Sequence, residues 1–183
     1  MRSVIDAPRE RLAYPLAPPE LVIDEDISLT QFVNEDAEEI YGLVAGNRSH
    51  LAEFENWAAT YALSECEKDL ADYVEAVQAG RAAFYKVLYR GELVGSIYLR
   101  DRQDSAVALG YWLAKNAVGK GIATRAATYL VDYAFDAWGI DTVILCIKPD
   151  NARSQAVANR LGALKAVNTV NKTYEAWAIL KDE

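Results

Sequence analysis

The chain has 183 residues, of which 52% are hydrophobic and 25% charged, and 27 acidic side chains outnumber 19 basic ones for a formal net charge of −8. That apolar content supports one full-sized core and excludes a disordered chain, while the acidic balance excludes general affinity for nucleic acid or anionic lipid, both of which need clustered Lys and Arg. Cys66 and Cys146 lie far apart, His50 is the single histidine and no apolar run approaches the roughly 20 residues of a membrane span, so a metal-free, disulfide-free, cytoplasmic protein is expected.

Residues 1–20 hold Pro8, Pro15, Pro18 and Pro19 and read as an extended arm with no core role, leaving residues 21–183 as a single domain. One strand is expected over residues 21–32. Asn34 then offers an N-cap for a helix whose stripe is Ala37, Ile40, Tyr41 and Val44, ending near Gly46. Residues 47–57 fit neither period and read as a short helix and loop. Ser64 and Glu67 stand at capping-box spacing before a helix with Leu70, Tyr73, Val74 and Val77 on one face and Gly80 as its stop. Three antiparallel strands follow, over residues 82–89, 93–100 and 106–113, separated by Arg90-Gly91-Glu92 and Asp101-Arg102-Gln103-Asp104. A helix after Gly121 runs to about Trp138, and a buried strand over residues 142–147 makes Cys146 a small core residue. A helix over residues 152–161 and two strands, near 163–170 and 173–180, complete an α+β domain.

The chemistry is concentrated where the strand ending at Leu113 passes into Ala114-Lys115-Asn116-Ala117-Val118-Gly119-Lys120-Gly121 and then a helix. Glycines here let a ligand approach the backbone, and the free amides of a helix start suit a phosphate. A P-loop would need Gly where Ala114 stands and Ser or Thr where Gly121 stands. A dinucleotide fingerprint would need Gly or Ala at Thr124.

Val118-Gly119-Lys120-Gly121-Ile122-Ala123 matches the loop pattern Gln/Arg-x-x-Gly-x-Gly/Ala at every defined position but the first. With Gly110-Tyr111-Trp112-Leu113 before it and Pro149-Asp150-Asn151-Ala152-Arg153-Ser154, then Leu161-Gly162, after it, the chain resembles the GNAT superfamily of N-acetyltransferases, in particular the RimJ/RimL-like branch that acetylates protein N-termini. The resemblance implies a mixed central sheet of about seven strands, antiparallel at its start and flanked by helices, with acetyl-CoA lying between two splayed strands. It implies that Trp112, Leu113 and Ala114 hold the pantetheine arm through their backbone. Amides of Gly119, Lys120, Gly121, Ile122, Ala123 and Thr124 would bind the pyrophosphate, and Asn151 would touch the pantetheine. Ser154 would serve the departing thiolate as the catalytic acid. Asn47, His50, Leu51 and Trp57 would face the acceptor, a homodimer is a further expectation, and no metal is implied.

The amine would attack the thioester directly in a ternary complex, so a base is needed. Residues 106–109 lack the glutamate that many relatives place before the loop, which leaves water, Glu53, Glu55 or Glu175. A lysine amine lies roughly three units from neutral at pH 7 and an α-amine only about one, so a weak base favours an α-amino acceptor on a peptide or protein. Small amines such as antibiotics or polyamines are the alternative acceptors. Val118, the missing glutamate and Ala163 after Leu161-Gly162 motivate a third reading, a non-catalytic acyl-CoA-binding module. In an acidic protein the anion site must be local, supplied by backbone amides with help from Lys120, Arg125 and Arg153.

Overall fold

Alternation along the strands decides which layer each side chain joins. In the computed structural model, which describes residues 15–166 and 173–182, Tyr85, Val87, Ile97, Leu99, Val107 and Leu109 face one side of a sheet, and Phe84, Tyr98 and Trp112 face the other. The first face is covered by helix α4 (Ile122–Asp136), which buries Ala126, Ala127, Leu130, Val131 and Ala134. The second is covered by α1 (Ala37–Gly46) and α3 (Leu63–Gln78) through Ile40, Val44, Cys66, Leu70 and Val77. A short α2 (Arg48–Leu51) and α5 (Ala152–Arg160) lie at the sheet's ends nearest the glycine loop.

The sheet has eight strands rather than about seven. Residues 21–32 divide into β1 (Glu20–Val22) and β2 (Ile27–Gln31), because Asp24 Oδ1 accepts the backbone N–H groups of Asp26 and Ile27 at 2.9 and 3.0 Å and closes a turn. The others are β3 (Ala83–Tyr89), β4 (Glu92–Gln103), β5 (Ala106–Leu113), β6 (Thr142–Ile147), β7 (Leu164–Lys165) and β8 (Glu175–Leu180). Spatial order is β1-β2-β3-β4-β5-β6-β8-β7, antiparallel throughout except for the parallel β5–β6 pair. The strand expected near 163–170 is described only to Ala166, and the turn at Asn171-Lys172 lies outside the described residues.

Both expected caps move. Asp36, not Asn34, accepts the Val33 N–H (2.8 Å), and its other oxygen takes Lys86 Nζ (2.7 Å) in a nearly buried ion pair. At α3 the N-cap is Ala62, whose N–H goes to Glu65 Oε2 (2.9 Å), so Ser64 and Glu67 do not form the box. The arm expected to lack a core role is fastened at its end. Pro15 and Pro18 carbonyls accept Trp138 Nε1 (3.1 Å) and Tyr85 Oη (2.8 Å), and Ala17 is buried. Gly95 on β4 has a necessity of its own, since an added Cβ would strike the Trp112 carbonyl oxygen across the β4–β5 ladder.

Candidate active site

β5 and β6 share a ladder only over Ala106↔Thr142, Val107↔Val143 and Ala108↔Ile144. Beyond it each stays with its antiparallel partner, β5 with β4 as far as Leu113 and β6 with β8 as far as Ile147, so the two diverge into a wedge. A cavity of about 840 Å³ occupies one side of this wedge and a chamber of about 330 Å³ the other. Phe54, Glu55, Tyr111, Asn151 and Ser154 line both.

In the larger cavity, Gly121 at φ +75° ends the loop and caps α4, a left-handed position that favours glycine. Backbone amides of residues 119–124 donate to no protein acceptor among the described residues and sit at the positive end of a fifteen-residue helix. This unpartnered cradle fits a pyrophosphate. Arg125, Arg153 and Arg160 line the same cavity; Arg125 Nη1 is held by Asp24 Oδ2 at 2.7 Å.

Of the expected cofactor residues, Trp112, Leu113, Gly119, Gly121, Ile122, Ala123, Thr124, Asn151 and Ser154 line the larger cavity, as does Val118. Ala114 and Lys120 do not. Ala114 is buried and donates to the Val94 carbonyl at 2.8 Å, and Lys120 Nζ lies 5.2 Å from the Tyr89 ring centroid. Of the residues expected to face the acceptor, His50 and Leu51 line the larger cavity and none lines the smaller chamber, and Asn47 Oδ1 accepts the Lys115 N–H (2.9 Å). Trp57 packs edge-on against Tyr61 and Trp112, at 5.0 and 6.2 Å between centroids.

Asn151 caps α5, its Oδ1 accepting the Ser154 N–H at 3.1 Å, which holds the Ser154 hydroxyl in the first turn beside both cavities. Burial pushes the Tyr111 hydroxyl above the usual tyrosine range, with the Ser154 hydroxyl acting against part of that rise; among the described residues Tyr111 Oη has no hydrogen-bond partner. Among the three acids named from sequence, Glu53 is exposed, and Glu175, which holds Lys165 Nζ (2.7 Å), lines neither cavity. Glu55 lies at their junction. Burial pushes its carboxyl above the ordinary range, opposed by the hydrogen bond from Trp57 Nε1 (2.9 Å to Oε2) and by the charges of Lys148 and Arg100. One raised carboxyl and one helix-terminal hydroxyl at a shared opening can take up and deliver protons.

Sequence reasoning missed Phe54, the roles open to Tyr111 and Arg160, and the whole smaller chamber. Tyr111 lies in the run Gly110-Tyr111-Trp112-Leu113 before the loop, and that position is the signal the sequence carries for it. Cys146, expected in the core, is exposed on the chamber wall, because β5 has left β6 by that point and no longer covers this face.

The acetyltransferase (GNAT) domain family matches residues 26–164. YdaF of Bacillus subtilis (strain 168), provisionally named a ribosomal N-acetyltransferase, is 32% identical over 154 residues, covering 78% of this chain and 80% of YdaF. Among solved structures, the microcin C7 self-immunity acetyltransferase MccE, in complex with acetyl-CoA and AMP, aligns with TM-score 0.80 at 22% identity over 91% of this chain and 98% of that one. RimL, a ribosomal L7/L12 α-N-protein acetyltransferase in complex with coenzyme A, aligns with TM-score 0.79 at 20% identity over 88% and 97%.

Proposed function

Because the chain belongs to the acetyltransferase (GNAT) family and is an acetyl-CoA-dependent N-acetyltransferase, we propose that its acceptor is the N-terminal α-amine of a protein or peptide. The observation that carries this reading is the junction at Glu55, Tyr111, Asn151 and Ser154, where a long cavity with a phosphate cradle opens into a second, smaller chamber. Acetyl-CoA supplies the acetyl group as an activated thioester. The amides of residues 119–124 hold the pyrophosphate, with Arg125, Arg153 and Arg160 adding charge, and the ends of β5 and α5 guide the pantetheine arm.

Glu55 accepts a proton from the acceptor ammonium. A carboxylate base, raised by burial above the ordinary glutamate range, lies closer to an α-amine of about 7.7–8.0 than to a lysine amine of about 10.4. Ser154 donates to the sulfur as the thioester bond breaks, and the positive end of α5 favours the developing charge there. Tyr111, whose hydroxyl has no hydrogen-bond partner among the described residues, lines both cavities with Ser154 and can donate to a bound substrate. RimL, by its name an α-N-protein acetyltransferase, supports the choice of acceptor.

A second reading, a small-amine acceptor, is favoured by the modest 330 Å³ of the chamber. One panel separates the readings: peptides with free or blocked N-termini, with and without lysine, beside polyamines and aminoglycosides, following thiol release and the acetylated position by mass spectrometry. Modification of free peptide N-termini is expected. Acetylation of small amines or lysine side chains, with peptide N-termini untouched, rejects the proposal, and coenzyme binding without turnover on any amine favours a non-catalytic module.

A further inference from the structure

The smaller chamber carries more charge than a peptide's α-ammonium alone would meet. Its walls carry Glu55 and Asp101 against Arg100 and Lys148. Arg100 is already compensated, with its Nε 3.1 Å from Asp101 Oδ2 and its guanidinium 4.9 Å from the Tyr98 ring centroid. Lys148 is different. Its Nζ donates to Asn56 Oδ1 at 2.8 Å, and among the described residues no carboxylate lies within ion-pair distance of it. A half-buried cation held by an amide oxygen rather than by a carboxylate, in a chain of net charge −8, lines the same chamber as the Glu55 carboxyl. The bond to Asn56 matters because it fixes the ammonium on the wall instead of letting a long stem swing into solvent.

We propose that the smaller chamber selects an acceptor carrying a carboxylate close to its α-amine, with Glu55 receiving the ammonium and Lys148 the carboxylate. This rests on the assignment of the chamber to the acceptor, and it narrows the acceptor's chemical class. Lys148 Nζ is anchored on Asn56, the residue next to Glu55, and both Lys148 and Glu55 line the chamber, so one small dipolar group can meet both. An acidic side chain at the second residue of a peptide presents this pattern, and so does the α-carboxylate of a free amino acid. Lys148 is a specificity residue here. It needs no contact with the reacting atoms, and charge complementarity of this kind discriminates among acceptors more than it adds raw affinity.

The test compares kcat/KM for peptides beginning Ser-Asp, Ser-Asn and Ser-Lys, and for serine against serinamide, using the full chain with saturating acetyl-CoA. The Ser-Asp peptide is expected to exceed Ser-Asn by about tenfold or more, the worth of one charge-assisted hydrogen bond. Lys148→Met should collapse that ratio, Lys148→Arg should keep it, and Lys148→Glu should shift preference to Ser-Lys. A readout free of turnover is alkylation of Cys146, which is exposed on the chamber wall while Cys66 is buried. With CoA bound, Ser-Asp peptide should protect Cys146 at lower concentration than Ser-Asn peptide. Equal kcat/KM for Ser-Asp and Ser-Asn together with equal values for serine and serinamide overturns the inference, as does a ratio unchanged in Lys148→Met. If peptides are inert but serine is preferred to serinamide, the inference stands and the peptide acceptor falls.

Discussion

Replacing Glu55 with Gln removes a proton acceptor while preserving shape, because a Gln Oε1 can still accept the Trp57 Nε1–H that now reaches Glu55 Oε2 at 2.9 Å. General-base assistance typically contributes at least about 100-fold, so kcat/KM for an α-amine peptide at pH 7 should fall by about that factor. The pH dependence carries the stronger information. An α-amine of pKa about 7.8 is about 14% neutral at pH 7 and about 94% neutral at pH 9, so a variant that must wait for free amine recovers about sevenfold over that range. The parent enzyme, able to use the ammonium, does not gain in proportion, and the deficit should shrink to about 15-fold at pH 9. Stability should move the other way. Burial raises the Glu55 carboxyl, so the folded chain favours its protonated form. That contribution is present below the ordinary glutamate range and is lost as pH rises through the raised value, whereas an amide is indifferent. Glu55→Gln should therefore melt at or above the parent temperature at pH 8 and show a smaller difference near pH 4. The measurements are initial-rate thiol release from pH 6 to 9.5 and thermal unfolding at both ends. A deficit constant across pH would mean that Glu55 positions the acceptor without taking its proton, and a deficit under about threefold at pH 7 would remove it from the mechanism.

Three further outcomes follow from particular geometries. Gly121→Ala meets no clash, its Cβ lying 4.0 Å from Arg125 Nε, but it forces an L residue to φ +75°. The strain should cost about 1 kcal/mol, or about 2–4 °C in Tm, and calorimetry should show CoA binding about fivefold weaker or worse as the amide cradle shifts. Ser154→Ala should lower kcat by about tenfold in steady-state assays, a modest factor because a thiolate is a competent leaving group. Circular dichroism should show α5 intact, since Asn151 caps it through the backbone N–H of residue 154. Gly95→Ala drives a methyl against the Trp112 carbonyl oxygen in the β4–β5 ladder, and urea denaturation should register a loss of about 3 kcal/mol.

Much of this architecture is local and was legible. The apolar stripe of α4, the strand-forming composition of β3 to β5 between their turns, the glycine loop before Ile122 and the start of α5 after Asn151 are set by neighbours a few residues away, and period and residue type record such neighbours directly. Where expectation and structure part, a competing local partner or a distant one intervened. Asp24 turned one strand into two by accepting two N–H groups in its own turn, and Asp36 and Glu65 displaced the caps assigned to Asn34 and Ser64.

The sequence by itself determined an acidic α+β domain with a backbone anion cradle at residues 119–124, because each feature is written in composition or in spacing along a few turns of chain. Only the tertiary structure decided which acid stands beside Ser154. The wedge exists because β5 follows β4 while β6 follows β8. That divergence uncovers Cys146, opens a second chamber, and leaves Glu55, from a loop before α3, as the acid at the junction with Ser154. Nothing in the local pattern around Glu53, Glu55 or Glu175 distinguishes them. Place in the fold does: Glu55 lines both cavities, whereas Glu53 is exposed and Glu175 pairs with Lys165, and the surroundings of Glu55 in space set its basicity.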